Sequence, residues 1–242
     1  MKLLLLSDIH ANWPALQAVL AAEPQVNGII VLGDLVNYGP HPVECVQWAR
    51  ANVPPEWIVQ GNHDRALGCD EDPRCSAPYH ALAATMQTYT ASRLDAAAKD
   101  YLAKLPACQT NTLGNARCFL CHAIPSEPLY GYLEKQAPRK RWEAEIKMAG
   151  QPDFLLLGHT HHPFVRLFGS AMVVNPGSVG QPKGGDPRAA YALLQDGAII
   201  LKRAAYDVEA VARDLADCAP PATVGALANI LRTGGTLPAN AS

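Results

Sequence analysis

The sequence predicts an α/β fold built from parallel βαβ units. Three short hydrophobic runs near the start of the chain, 2–6, 28–32 and 57–59, have the composition of buried strands. Helical patterns with one apolar face separate them, at 12–22 and 42–51. Strands and helices in alternation are typical of a parallel sheet with helices packed on it.

The length of the chain allows one large domain or two small ones. Of its 242 residues, 49% are hydrophobic, which is enough to bury a full core. There is no internal repeat and no obvious linker between domains. We therefore predict a single domain over residues 1–242.

Each of the first three strands is followed directly by polar side chains. They are Asp8 and His10, then Gly33-Asp34, and then Gly61-Asn62-His63-Asp64. The carboxyl ends of parallel strands meet at one edge of a sheet, where open α/β folds bind ligands. An amide, an imidazole and a carboxylate in a row are costly to bury in a plain core. We therefore expect these groups to form one site.

Two later strand patterns repeat this design. The run 118–121 precedes His122, and the run 154–157 precedes Gly158-His159-Thr160-His161. Residues two apart on an extended backbone share a face, so His159 and His161 can reach one ion. Three histidines within four residues are seldom structural. We expect the first two to bind metal and His162 to lie at the rim.

The other segments predict an insertion, a hairpin and C-terminal helices. Helical patterns at 79–94 and 95–105 form an insertion at 65–110, which is either a lid over the site or a packing layer. The later elements are a strand at 172–175, a hairpin of 189–195 and 198–203, helices near 207–217 and 222–232 within 204–233, and a flexible tail at 234–242.

Charge and hydropathy exclude several classes of protein. The chain has 20 basic and 22 acidic residues without a long run of either sign, so no basic track for nucleic acid is evident. The leucine run 3–6 is too short for a signal peptide, and no segment is apolar enough to span a membrane. We expect a cytoplasmic protein, for which a homo-oligomer is possible.

The seven cysteines show no disulfide framework and no zinc-site spacing. Cys118 and Cys121 are three apart on a predicted strand, so their side chains should point to opposite faces. Most of the thiols should be reduced and buried. Cys69 and Cys75 bracket an acidic loop, and we consider them as a possible pair or metal site.

The predicted strand ends together offer carboxylates, imidazoles and an amide. This donor set, which contains no thiolate, suits divalent ions of the first transition row. Mn²⁺ is our first expectation, with Fe, Zn, Co or Ni as alternatives. Seven ligands are too many for one tetrahedral ion but fit two ions ~3.5–4 Å apart that share a carboxylate. The ligands would be Asp8, His10, Asp34, Asn62, His122, His159 and His161.

Taken in chain order, the motifs that contain these ligands, between residues 8 and 161, resemble those of the calcineurin-like metallophosphoesterase superfamily. The turn at 175–178 and the Tyr-Gly-Pro at 38–40 resemble a bacterial branch of predicted phosphodiesterases. The resemblance implies a four-layer α-β-β-α sandwich with two central mixed β-sheets and a helical insertion flanking the metal site. It also implies one ion held by Asp8, His10, Asp34 and His161, and a second held by Asp34, Asn62, His122 and His159.

The implied chemistry is the hydrolysis of a phosphate ester. Two ions would lower the pKa of a bridging water so that hydroxide attacks phosphorus. We expect His63 to protonate the leaving group and Asp64 to orient its imidazole and favour the protonated form. The alternative for His63 is a role in supporting the loop.

One departure from the superfamily narrows the substrate. Members of the superfamily that act on phosphoproteins or dinucleoside tetraphosphates carry the motif Gly-Asp-x-x-x-Arg-Gly. This chain has Tyr38 at the position of the arginine. A tyrosine cannot provide a bidentate cationic clamp. The sequence therefore favours a phosphodiesterase acting on a small phosphate ester or nucleotide. The alternatives are a phosphomonoesterase, a dinucleoside polyphosphate hydrolase, a nuclease and a non-catalytic metal-binding scaffold.

Overall fold

In the computed structural model, which describes residues 1–235, two β-sheets stack face to face between layers of helices. The strands are β1 Lys2–Leu6, β2 Gly28–Val31, β3 Cys108–Leu113, β4 Ala116–Cys121, β5 Phe154–Leu156, β6 Phe164–Phe168, β7 Ala171–Asn175, β8 Ala189–Gln195 and β9 Ala198–Ala204. The helices are α1 Trp13–Ala22, α2 Pro42–Asn52, α3 Asn62–Cys69, α4 Ala77–Arg93, α5 Ala96–Lys104, α6 Arg139–Met148, α7 Val208–Asp214 and α8 Pro221–Thr233.

Both sheets are mixed. The first has the order β2-β1-β8-β9, in which β1 and β2 are parallel, β8 is antiparallel to β1, and β9 is antiparallel to β8. The second has the order β3-β4-β5-β7-β6, with three parallel central strands and an antiparallel strand at each edge. In each sheet, the parallel strands carry their polar residues at the same end. This arrangement brings the predicted ligands to one side of the molecule.

Three hydrophobic cores define four layers. The middle core joins the facing sides of the two sheets, for example Leu5 of β1 and Leu156 of β5. The outer side of the first sheet packs on α1, α2 and α5 through residues such as Leu16 and Leu102. The outer side of the second sheet packs on α6 through Trp142. The predicted α-β-β-α sandwich is confirmed.

The prediction of a third strand at 57–59 is wrong. Pro55 begins a short 3-10 turn that ends at Trp57, so only Ile58 forms a parallel bridge with Val31. The segment still follows β2, because the Val59 amide donates to the Val31 carbonyl at 3.1 Å. It therefore presents the next residues at the same edge of the sheet, as a strand would have done.

Four elements were not expected from the sequence. Helix α3 begins at Asn62, and its polar sequence shows no helical pattern from which to predict it. Strand β3 is an edge strand whose side chains are exposed or half-buried, so it lacks a hydrophobic pattern. Strand β6 is also at an edge, and α6 buries little more than Trp142 and Ile146 on a charged helix.

The insertion at 65–110 divides between two cores. Helix α5 packs in the outer core of the first sheet, whereas Met86 of α4 packs with α7 and α8. The closure of this segment over a substrate stays a prediction. From residue 236 onward, the tail predicted at 234–242 lies outside the described residues. Gly234 ends α8 in the left-handed conformation, and its carbonyl accepts a hydrogen bond from the Gly185 amide.

The cysteines are free, as expected, but only Cys45, Cys118 and Cys121 are buried, so the expectation that most of them are buried is wrong. The two on β4 face opposite sides of the second sheet, as predicted. Cys118 belongs to the core between the sheets and Cys121 to the core under α6. Cys69 and Cys75 are not joined by a disulfide. Within residues 1–235, no helix has both the length and the apolar character needed to cross a membrane.

Candidate metal centre

Side chains from both sheets meet where the parallel strands end. The Nε2 atoms of His10 and His161 are 3.2 Å apart, and His161 Nε2 is 3.3 Å from a carboxylate oxygen of Asp8. Asp34 Oδ2 lies 3.7 Å from His10 Nε2 and 3.3 Å from His122 Nε2. Donor atoms that surround one ion at ~2.1 Å lie ~3–3.4 Å from one another. These spacings are close to those of a coordination shell.

The remaining predicted ligands complete a second cluster beside the first. Asn62 Oδ1 lies 3.1 Å from both His122 Nε2 and His159 Nδ1. The Asn62 amide nitrogen donates to the Pro73 carbonyl at 2.7 Å, which turns the oxygen toward the imidazoles. All seven predicted ligands therefore converge, and each is buried. His162 lies apart, with a half-exposed side chain 3.6 Å from Glu134.

Three histidines are held so that Nε2, the nitrogen that faces the centre, is the atom available to a metal ion. The Nδ1 atoms of His10, His122 and His161 lie 3.1, 2.7 and 2.7 Å from backbone carbonyls. Each Nδ1 must carry the proton to donate to its carbonyl, so Nε2 keeps its lone pair in the neutral imidazole. Hydrogen bonds of this kind fix the tautomer in histidines that bind metals. The residues present therefore fit a divalent ion.

The backbone at this centre adopts a conformation that non-glycine residues rarely occupy. The φ angles of Asp8, His10 and Asp34 are 52°, 46° and 57°, and those of His159 and His161 are 65° and 62°. Left-handed residues cost of order 1–3 kcal/mol each and cluster at functional sites. Here they turn the side chains back toward the strand ends. The strain indicates that the positions of these five side chains matter more than local stability.

The electric field of the centre favours positive charge. Burial opposes the ionised form of Asp8 and Asp34, but the surrounding histidines hold both carboxyl pKa values below the usual range. Burial also opposes the charged form of His122, yet the Asp34 and Asp8 carboxylates raise the pKa of that imidazole to about 9. For His10, burial prevails and lowers the pKa to about 3. A field that attracts a proton to His122 would equally attract a cation.

Asp64 does not orient His63, so this part of the sequence-based expectation is wrong. Its Oδ2 accepts hydrogen bonds from the amides of Asp34 and Gly61 at 2.8 and 3.0 Å, and its Oδ1 accepts one from Leu35 at 2.8 Å. Burial, followed by the charge of Asp34, raises the pKa of Asp64 to about 7. Through its three hydrogen bonds, the Asp64 carboxyl group joins the loop that follows β2 to the loop that follows residues 57–59.

Asn37 is the partner of His63, and sequence reasoning missed it. Its amide nitrogen lies 2.9 Å from His63 Nδ1, while its oxygen accepts a hydrogen bond from the Tyr38 amide. The amide nitrogen is thus the donor, and His63 carries its proton on Nε2. Burial lowers the pKa of His63 to about 4, which keeps the ring neutral at pH 7. The position of Asn37, three residues after Asp34, is the available sequence signal.

The turn at 175–178 positions the first strand end. The Ser178 hydroxyl donates to the Asp8 carbonyl at 2.7 Å, and the Asn175 amide donates to the Gly158 carbonyl at 2.6 Å. The Gly180 amide also donates to the Asp8 carbonyl, at 3.0 Å. This turn therefore joins the strand ends of the two sheets.

A narrow cavity opens above the centre. Its wall includes the aromatic rings of Tyr38, Tyr79 and Tyr132, together with Cys75 and Lys183. The Tyr132 ring lies over His159, with ring centroids 4.2 Å apart. Apart from Tyr38, none of these residues was predicted to lie at this site, because three separate loops and α4 bring them together.

Comparisons with known proteins agree with this geometry. The model of the calcineurin-like phosphoesterase superfamily domain matches residues 1–196. An uncharacterised protein of Methanocaldococcus jannaschii is 29% identical over 225 residues, covering 84% of this chain and 87% of that protein. The phosphodiesterase YfcE of Escherichia coli is 28% identical over 206 residues, covering 81% of this chain and 88% of YfcE. A metallophosphoesterase structure from Sphaerobacter thermophilus aligns with a TM-score of 0.78 at 29% identity, covering 97% of this chain and 99% of the other.

Proposed function

Because the chain belongs to the calcineurin-like phosphoesterase superfamily, we propose that it is a phosphodiesterase that uses two divalent metal ions. The observation that carries this proposal is the convergence of seven donor side chains on one edge, where backbone carbonyls hold the Nδ1 atoms of three histidines so that Nε2 faces the centre. The phosphodiesterase activity named for YfcE, a relative over most of this chain, supports the choice of substrate class.

We assign the ligands to two neighbouring positions. Asp8, His10 and His161 would hold one ion, and Asn62, His122 and His159 the other, with Asp34 shared. The contacts of Asp34 with both His10 and His122 support its bridging role. Asp8 also reaches both groups, since its Oδ1 lies 4.0 Å from His10 Nε2 and 3.9 Å from His122 Nε2. We propose Mn²⁺ as the ion.

The two ions, when bound, would lower the pKa of water and neutralise charge on the phosphoryl group. The chain itself would supply a hydrogen-bond donor to the leaving oxygen. His63 lines the cavity beside Asn62, and Asn37 leaves the proton of its ring on Nε2. The sequence predicted that His63 protonates the leaving group. Because burial lowers the pKa of its ring to about 4, we propose instead that its Nε2 proton stabilises the charge developing on this oxygen through a hydrogen bond.

The test is hydrolysis of bis-p-nitrophenyl phosphate and p-nitrophenyl phosphate by Mn²⁺-loaded protein. We expect the wild type to prefer the diester and Asp34→Asn to lose both activity and metal. His63→Ala should lose activity by about 10²- to 10³-fold while its metal content is unchanged. The control is His80→Ala, because His80 is half-exposed and paired with Asp72. Activity of Asp34→Asn equal to that of the wild type would refute the proposal.

A further inference from the structure

Lys183 lies in the wall of the cavity above the candidate metal centre. It shares this wall with Asp34, Asn62 and His159, and no other lysine or arginine of the described chain lines it. Its ammonium nitrogen lies 4.8 Å from the centroid of the Tyr79 ring. Lys183 therefore places a positive charge beside the space where a substrate would approach the metal ligands.

This charge is poorly compensated by the protein. Within residues 1–235, Lys183 forms no ion pair with a carboxylate, and its side chain is mostly buried. Burial lowers its pKa, although the more distant Asp8 and Glu134 act in the opposite direction. A cation–π contact with Tyr79 offsets only part of the lost hydration. A desolvated ammonium in such a cavity is suited to bind an anion.

The loop that carries Lys183 is held on both sides. On one side, the Gln181 carbonyl accepts the hydrogen bond from His161. On the other side, the Gly185 amide donates to Gly234, and the Tyr79 hydroxyl donates to Gly235 at 3.1 Å. A Cβ on Gly235 would lie 2.8 Å from Lys183 Cγ and 2.9 Å from its Cα, so the fit is close. The end of α8, which lies beyond the matched residues 1–196, thus sets the position of Lys183.

We propose that Lys183 binds a non-bridging phosphoryl oxygen of the substrate. This inference rests on the proposed function. Tyr38 stands where related phosphatases carry an arginine, and it brings no positive charge. Lys183 supplies a positive charge to the cavity from the loop between β7 and β8. The described wall offers no other lysine or arginine for this role.

The experiment measures binding of inorganic phosphate to Mn²⁺-loaded protein by calorimetry, at low and at high KCl. Lys183→Met keeps the aliphatic stem and removes the charge, and we expect it to weaken phosphate binding about 10- to 100-fold. Its binding should also depend less on salt. The control is Lys147→Met at the exposed end of α6, which should bind as the wild type does. Thermal unfolding is followed for each variant.

The outcomes separate this inference from the proposed function. Phosphate affinity unchanged in Lys183→Met, or lost only together with a lower unfolding temperature, would show that Lys183 merely packs on Tyr79 and would overturn the inference. If the wild type hydrolyses neither ester but binds phosphate more tightly than Lys183→Met does, the proposed function fails and the phosphate site stands. A higher KM for the esters in the variant, with metal content unchanged, supports the inference.

Discussion

Replacing Asp64 by asparagine tests whether this residue holds the strand-end loops or serves His63. The carboxylate accepts three backbone hydrogen bonds, one through Oδ1 and two through Oδ2. An asparagine has one acceptor oxygen, so its best orientation keeps the two bonds from Asp34 and Gly61. Its amide group then faces the Leu35 amide, and two donors meet in a buried position.

The cost can be worked from these contacts. A buried donor left without an acceptor costs about 1–3 kcal/mol. The two remaining hydrogen bonds lose the charge of their acceptor and weaken by about 0.5–1 kcal/mol each. These losses should lower the free energy of unfolding of Asp64→Asn by about 2–5 kcal/mol. Because burial raises the pKa of Asp64 to about 7, its ionisation costs stability that the neutral amide does not lose, so the difference should be larger below pH 7 than above it. Because Asp34 is one of the residues held, the variant should also bind metal more weakly.

Urea unfolding at pH 5 measures this change, and Asp95→Asn is the matched control. Asp95 accepts one hydrogen bond, from the Ala98 amide at 2.7 Å, as the N-cap of α5. Asparagine is an equally good N-cap, so this control should change the free energy of unfolding by no more than about 0.3 kcal/mol. If Asp64→Asn is as stable as the wild type and loses only turnover, the reasoning from backbone contacts is refuted.

Two further changes test the electrostatics of the fold. Asn37→Asp would place a carboxylate against His63 Nδ1, so the imidazole pKa, which burial lowers to about 4, should rise. Histidine NMR titration measures it, and an unchanged pKa would contradict the assigned contact. Burial alone would raise the pKa of Glu23 above its ordinary 4.5, but Lys2 and Lys202 lower it to about 2. The ionised group should therefore stabilise the fold above pH 4.5, by about 2–3 kcal/mol, and this contribution should be lost as the pH falls toward 2. Glu23→Gln should be less stable at pH 7 but lose less stability between pH 6 and 3 in urea unfolding, and equal losses would argue against the ion pair.

The fold class and the candidate ligands could be read from the sequence because both depend on local patterns. A buried strand such as β1 is a short hydrophobic run, and the polar residues that follow it must emerge at the end of the sheet. Where burial is partial, the pattern is weak. Strand β3 at a sheet edge and the charged helix α6 were therefore missed.

The partners of each functional side chain were decided by the tertiary structure. Asp64 is next to His63 in the chain, yet helix α3 points these neighbours in different directions. The contacts of His63 come instead from Asn37 on the preceding loop. Lys183 likewise reaches the cavity because the end of α8 holds its loop. The sequence alone determined which chemical groups lie at the strand ends, since that follows from hydrophobic periodicity. Which groups touch depends on long-range packing, and only the folded chain specifies it.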